Sequence, residues 1–532
     1  MGKSFTSSYI PYSETGRFTK IILDYVKESL FIRDFYEHPV NIEGIKAAIE
    51  SRRNFQTNRR LLVEKLQIQY EEIKDAELAK ANIASLLSED TFTVCTAHQP
   101  NIFTGHLYFI YKILHTLKLA DELKKQIPQY NFVPVFFMGS EDADLQELNH
   151  VVVDGKKYVW HTKQKGAVGR MKVDDLLLKL IDEIAGRITV EKYGKEFIKV
   201  LKECFLKNST IERATFLLVH ELFKKDGLVV FLPGNAALKK EMASVFAEDI
   251  FKNTSSQIVD KTSEKLSRHY KVQAHPREIN VFYLKDDIRN RIVQVKDHFI
   301  VHDTDIVFTA QELNNELTMH PERFSPNVIL RGLFQEMALP NLAFIGGGGE
   351  LAYWLELKDL FNHYKVPFPM LIVRNSFLIV DEKYQKLLSK MSIMPADLFK
   401  GEQILLNDIV KRKTPRRLQL DEEIFQLKQT YDSIKKLVKE IDVTLEKHAE
   451  ALETVSIKKL AALEKKMLRA EKRKFADIKN QLSKILGSLF PEDELQERTE
   501  NFMMYYSKYG NHFLEVLYDH SLTFNQEFCI LK

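Results

Sequence analysis

The chain is 532 residues long and holds only 20 glycines and 15 prolines, roughly half of average usage, which excludes collagen-like, mucin-like and Gly/Pro-rich linker architectures. Its 45% hydrophobic and 28% charged fractions suit a chain that buries a large core, and the length suggests roughly two to four domains. With 77 basic against 74 acidic side chains, the net charge of +3 demands no nucleic-acid partner.

The first twenty residues are polar, so no signal peptide is expected; Met1 to Thr6 fits the bare myristoylation pattern, read as a chance match. Over residues 21–87 the apolar positions recur at helical spacing with a break at Pro39, which predicts a helical N-terminal layer. A β-rich run at 91–96 is followed by an amphipathic helix over about 105–125 and a second apolar run at 132–138 that ends in Gly139-Ser140-Glu141-Asp142. This is the start of a βαβ unit, whose loops after the strand carboxyl ends are where such sheets bind ligands. Strand-like runs at 151–154, 228–232, 279–284, 299–302, 342–345 and 370–373 alternate with helical stretches. Residues 1–382 therefore read as one large α/β unit with insertions at about 155–225 and 265–320, the second antiparallel.

Beyond Val380 the character changes. Between Pro415 and Pro491 there is one glycine, Gly487, and apolar residues step by three and four from Ile424 to Leu489, with phase slips near Val455 and Phe475. Residues 383–499 are expected to form an α-helical antiparallel coiled coil that reverses at Asp442-Val443-Thr444, or else a dimerisation arm, and 500–532 to pack back on the core. Six cations over 465–474 read as a solvated face. Cys95, Cys204 and Cys529 lie far apart, giving neither a disulfide framework nor a CxxC metal pair; a reducing cytoplasm is expected, with no membrane span.

Four strings carry candidate chemistry. Where the first strand turns into its helix, Thr96-Ala97-His98-Gln99-Pro100-Asn101-Ile102-Phe103-Thr104-Gly105-His106-Leu107-Tyr108 turns free backbone N–H groups and a positive helix end toward an anion. Gly105 allows close approach there, and His98 and His106 can donate to phosphate or carboxylate oxygens; the alternative is that Thr104 caps the helix and the histidines satisfy local backbone. Glu141-Asp142-Ala143-Asp144, with Asn149-His150 beyond, gathers acidic groups that repel unless a metal, amine or arginine sits among them; the alternative is an exposed acidic turn. Pro321-Glu322-Arg323-Phe324-Ser325-Pro326-Asn327, with Arg331, sets two guanidiniums near small polar residues, suited to a carboxylate or phosphate, or to surface salt bridges. Finally Gly346-Gly347-Gly348-Gly349 follows a strand and precedes Glu350, with Tyr353 and Trp354 expected in the first turn of a helix; it reads as backbone wrapping a ligand, or as a flexible turn. No Lys-Ser/Thr follows the glycines, so a P-loop is excluded, and HExxH, GxSxG and zinc-finger spacings are absent.

These strings, together with LEKKMLRAEKRK from Leu463 and LQERTENFMMYYSKYG from Leu495, resemble in order the bacillithiol-biosynthesis cysteine-adding enzymes, the BshC family. The resemblance implies a Rossmann-like core with connecting insertions, a coiled-coil domain that makes a homodimer, and a cytoplasmic ligase adding cysteine to glucosaminyl malate in the last step of bacillithiol synthesis. On that reading His98, Asp142, Asp144 and Glu350 are catalytic. Thr96, Gln99, Thr104, Gly105, His106, Tyr108, Lys112, Gly346, Gly347, Gly348 and Gly349 would hold ATP or ADP, with Mg2+ as a companion. Substrate would meet Asn149, His150, Arg323, Ser325, Asn327, Arg331, Tyr353, Trp354 and Arg374. The chain departs from the family pattern at Thr104-Gly105-His106, where Thr-Gly-Pro is expected, and in its unbroken run of four glycines. Rival readings are a nucleotidyltransferase with another acceptor and a non-enzymatic, nucleotide-binding dimeric scaffold.

Overall fold

Runs that are β-branched and aromatic throughout become strands buried on both faces, as parallel sheets require. In a computed structural model, which describes residues 5–415 and 417–532, five such runs make the central sheet. They are β1 (Thr91–His98), β2 (Asn131–Met138), β3 (Val229–Phe231), β4 (Asn341–Gly346) and β5 (Met370–Val373). All neighbours are parallel, in the order β5-β4-β1-β2-β3. Residues 1–4 of the myristoylation-like match lie outside the described residues.

The chain forms two units, one running to Leu378 and resuming at Glu494–Leu531, the other Ile379–Asp493; the sequence reading set these edges at 382 and 499. In the first unit, α1 (Leu107–Gln126) connects β1 to β2, α2 (Val328–Ala338) leads into β4, and α3 (Gly348–Trp354) leaves it. Leu119 and Leu123 of α1 share one core with Phe92 and Val94 of β1, Ile345 of β4, and Ile45 and Ile49 of the helix Ile42–Arg53. Burying each such side chain contributes about 1.5–3 kcal/mol. Elsewhere in the core Phe137 stacks on Phe231 at 5.1 Å, with Phe334 of α2 edge-on at 6.2 Å.

The helix Ile42–Arg53 is held by a buried ion pair. Arg52 donates to Glu336 Oε2 at 2.6 Å, to the Glu336 carbonyl at 2.8 Å and to the Asn341 carbonyl at 2.9 Å, joining the N-terminal layer to the end of α2 and the start of β4. Both side chains are at most 2% exposed.

Between β2 and β3 lie the hairpin His150–Val153/Lys156–Val159 and three amphipathic helices, Asp175–Ile188, Gly194–Cys204 and Ile211–Phe223. Between β3 and β4 an antiparallel sheet forms from Val281–Lys285, Ile288–Val295, His298–Val301 and Val307–Thr309, with Phe324–Pro326 added at one edge. The returning C-terminal segment ends in Glu527–Leu531, which pairs antiparallel with Ser7–Pro11, Tyr9 opposite Cys529. All three cysteines are buried and unbridged. Among the described residues no helix is long and apolar enough to cross a membrane.

The second unit contains the expected helical pair: α4 (Asp421–Ile441), α5 (Thr444–Lys472) and, after a short 3-10 turn at Arg473–Phe475, α6 (Ala476–Leu489). The reversal falls at Asp442-Val443, where Asp442 Oδ1 accepts from the Thr444 N–H and hydroxyl, both at 2.8 Å. Tyr431 meets Ser456, Lys435 meets Glu453 and Lys439 meets Glu446, so partner numbers fall on one helix as they rise on the other. The seam slip near Phe475 coincides with the 3-10 turn, whereas the slip near Val455 sits inside unbroken α5.

Replacing Arg52 by alanine leaves Glu336 as an unpaired buried charge. We expect a loss of about 3–5 kcal/mol, read as a lowered urea midpoint of the larger unit.

Candidate functional site

The winding reverses at β1, because β2 and β3 lie on one side of it and β4 and β5 on the other; the crevice at such a switch point is where doubly wound sheets take ligands. A cleft of about 430 Å³ opens there. The end of β1 delivers His98 and Gln99, the exit of β2 Gly139 and Asp142, and the exit of β4 Gly347, Gly348, Gly349 and Glu350. Tyr108 and Lys112 come from the start of α1, Asn327 and Arg331 from the start of α2, and Tyr353 from α3. The antiparallel insertion adds Phe282 and Arg289, the residue after β5 is Arg374, and the returning segment supplies Arg498.

Lys112 is 2% exposed and anchors one wall. Its Nζ donates to the Ala97 carbonyl at 3.0 Å, lies 2.5 Å from Glu350 Oε2 and 3.4 Å from His98 Nδ1. Glu350 also accepts the Gly347 N–H at 2.7 Å, closing the first turn of α3. Because an ammonium only donates, Nδ1 of His98 is assigned as the acceptor nitrogen and the proton goes to Nε2. Burial and the charge of Lys112 push His98 well below its ordinary range, so it is neutral at physiological pH. Burial likewise lowers Lys112, opposed by Glu350.

Arg374 forms the floor. Its guanidinium donates to Glu497 Oε1 at 2.7 Å, to the Asn375 carbonyl at 3.0 Å and to Ser376 Oγ at 3.1 Å, and sits 5.2 Å from the Tyr108 ring centre. Burial pushes the Tyr108 hydroxyl up to about 12. Two N–H donors in the cleft lining are buried without a hydrogen-bond partner among the described residues: Arg374 Nε and His98 Nε2. A Cβ on Gly347 would stand 3.6 Å from that Nε, so glycine keeps its approach open.

Opposite, Asp142 is gripped by both nitrogens of Arg331, one at 2.8 Å, with Arg289 at 3.4 Å. Burial alone would raise this carboxyl, but Arg331 and Arg289 hold it below the usual range. Glu147 also lines the cleft; burial, Asp144 and Asp142 raise its carboxyl, and it has no ion-pair partner among the described residues. The cleft thus presents unpartnered N–H donors suited to phosphate or carboxylate oxygens, and one uncommitted carboxylate suited to an amine or a proton.

Residues 5–375 match the family description "Bacillithiol biosynthesis BshC, N-terminal Rossmann-like domain", and residues 377–532 match its C-terminal coiled-coil domain. The chain belongs to the BshC family. Proteins of Flavobacterium psychrophilum and Flavobacterium johnsoniae, each named "Putative cysteine ligase BshC", are 37% identical to it over 98% and 96% of this chain and 99% and 96% of their own. The protein of that name from Christiangramia forsetii is 37% identical over 98% of both chains.

Set in this BshC chain, the residues singled out from sequence divide. His98, Gln99, Tyr108, Lys112, Asp142, Asn327, Arg331, Gly347, Gly348, Gly349, Glu350, Tyr353 and Arg374 line one cleft. The expected anion site at Thr104-Gly105-His106 is closed. Phe103 and Thr104 have positive φ, the helix starts only at Leu107, and the Leu107 N–H already donates to the Glu500 carbonyl at 2.8 Å. Asn501 covers the turn, its amide donating to the Phe103 and Gly105 carbonyls, while His106 Nδ1 bonds the Thr499 carbonyl at 3.0 Å. Thr104 caps nothing; its hydroxyl is buried without a partner.

Other expectations are also corrected. Thr96 is buried in β1, its hydroxyl donating to the Ile345 carbonyl, and Gly346 ends β4 beneath Leu351. Asp144 caps the short helix Leu145–Leu148, while Asn149 and His150 lead from it into the hairpin. Arg323 is committed to Glu316 at 2.6 Å, outside the cleft. Ser325 acts behind the cleft, accepting from Arg289 Nε at 3.2 Å. Trp354 is buried against Phe344 with ring centres 4.6 Å apart, and it stands with Tyr353 in the second turn of α3. Arg289, Glu147, Phe282 and Arg498 escaped the sequence reading; only Arg498 lay in a string already singled out.

His115, whose ring bonds the Thr523 carbonyl and the Asn375 N–H, is pushed down by burial to about 4. For both His98 and His115 the folded value is depressed, so the unfolded chain binds the proton first. Their contribution to stability is present above about pH 6.5 and is lost as pH falls. Nitrogen-15 NMR should find His98 as the neutral Nε2–H tautomer between about pH 6 and 8; an imidazolium there would contradict the geometry.

Proposed function

We propose that the protein joins the carboxyl group of cysteine to the amine of glucosaminyl malate in an ATP-dependent reaction, the cleft between β1 and β4 being the place of chemistry. The observation that carries this reading is the pair of buried, unpartnered donors, Arg374 Nε and His98 Nε2, in a cleft that Lys112 also lines. They are suited to oxygens of a phosphate or an acyl phosphate, whose charge grows or shifts during transfer. ATP, when bound, supplies the group that makes the cysteine carboxyl an acylating agent. Gly347, Gly348, Gly349, Tyr108 and Gln99 would flank it, and a magnesium ion would ride on its phosphates, since no three His, Cys, Asp or Glu side chains converge as a metal set among the described residues.

The chain's own groups then divide the work. Arg331 and Arg289 fix Asp142, and Arg498, exposed at the rim without an ion-pair partner among the described residues, would meet the malate carboxylates. Glu147 is the carboxylate free to hold the attacking amine and to take its proton as the amide forms. The relatives named as cysteine ligases support the reaction class. A cytoplasmic setting fits three buried, unbridged thiols.

Purified protein given glucosaminyl malate, L-cysteine and ATP should yield the amide by mass spectrometry. Glu147→Gln and Arg331→Ala should each lower turnover by about 10²-fold. No product from the wild type, with nucleotide bound tightly, would return the protein to the scaffold reading.

A homodimer through the coiled coil is proposed with it. Phe425, Leu437 and Ile441 on α4 are 61%, 62% and 74% exposed, an apolar surface that a second copy of the arm would cover. Phe425→Asp with Ile441→Asp should shift sedimentation from dimer to monomer.

A further inference from the structure

A second cleft of about 330 Å³ opens on the other side of the loop that carries Asp142, at the carboxyl ends of β2 and β3. The loop serves both: Asp142 faces the first cleft, while its neighbour Glu141 faces the second, paired with buried Lys239. The loop is pinned from behind, because the Gly169 N–H donates to the Ser140 carbonyl at 3.0 Å and the Val168 N–H to the Asp142 carbonyl at 2.7 Å. Lys239 is itself tied by a 2.7 Å bond to the Phe324 carbonyl. The wall is therefore held in place, and the proposed chemistry uses neither Glu141 nor Lys239.

Two opposite charges face this second cleft without pairing to each other. Glu212 lies beside Ser140 and Arg170, but no cation bonds its carboxylate. Arg170 is exposed at the mouth and makes no ion pair among the described residues. Burial and the proximity of Glu141 raise the Glu212 carboxyl, so an ammonium beside it would relieve a real cost. Phe231, Leu232 and Leu238 supply an apolar wall beyond the charged groups. A carboxylate and a guanidinium that share a cavity of small-molecule size yet stay apart leave space for a group bearing both charges.

We infer that this cleft is a second small-molecule site, for a zwitterion of α-amino-acid size whose ammonium meets Glu212 and whose carboxylate meets Arg170. It is separate from the cleft of the proposed reaction and does not depend on that reaction being right.

Calorimetric titration of the full-length protein with L-cysteine, L-serine and glycine tests the site, with 3-mercaptopropionate and cysteamine as probes lacking one charge each. At least one amino acid should bind with Kd below about 1 mM, and both single-charge probes should bind at least about tenfold more weakly. Glu212→Gln, which keeps the size and shape of the side chain, and Arg170→Ala, at an exposed position, should each weaken binding about tenfold with an unchanged melting temperature. Arg331→Ala, in the first cleft, should leave it unaltered. The inference fails if no amino acid binds, if Glu212→Gln binds as wild type, or if affinity follows Arg331.

Discussion

The cleft depends on one buried ion pair, Arg374 with Glu497. Both carboxylate oxygens are engaged: one accepts from Arg374 and Ser376, the other from the Phe377 N–H at 3.1 Å. Burial works against the Arg374 charge, and Glu497 outweighs it, holding the guanidinium protonated. Separating such a pair costs about 3–5 kcal/mol, because one charge is left in the interior alone. What the pair leaves over includes the Arg374 Nε–H, which has no hydrogen-bond partner among the described residues and lines the cleft. Glu497 lies 123 residues beyond Arg374, so the floor of the site is complete only after the chain has passed through the helical arm and returned. The same returning segment seals the turn before α1 through Asn501, so one stretch of chain both finishes the cleft and closes the competing opening.

The insertions carry out a related task on the opposite wall. Consecutive acidic residues at the exit of β2 would repel, and the fold answers each with a cation from a different element: Lys239 for Glu141, Arg331 of α2 and Arg289 of the antiparallel sheet for Asp142. Arg289 is in turn stacked on Phe282, its ring centre 4.3 Å away. The antiparallel sheet thus reaches the site through one guanidinium and the ring that supports it.

Much of this was legible in the sequence because it is local. Strands such as Asn131–Met138 announce themselves by composition, the glycines after β4 by their density, and the reversal at Asp442-Val443 by a polar break in a long apolar seam. The repulsion within Glu141-Asp142 correctly implied nearby cations. The failures are non-local or depend on a side chain's choice between partners. Nothing near Thr104 shows that Asn501, almost 400 residues away, occupies the carbonyls there. Arg323 and Arg331 stand eight positions apart in one string, yet the first is drawn to Glu316 and only the second reaches the cleft. Arg289 gave no signal, since a basic residue in a short hairpin is ordinary until the hairpin's docking is known.

The burial of the cysteines has a consequence for the proposed chemistry. Burial pushes Cys204 and Cys529 up to about 12 and raises Cys95 well above its ordinary range, so none presents a thiolate at the surface. Exchange with a disulfide requires an accessible thiolate. A catalyst of thiol synthesis built this way is not captured as a mixed disulfide by its own substrate or product when the surrounding pool oxidises.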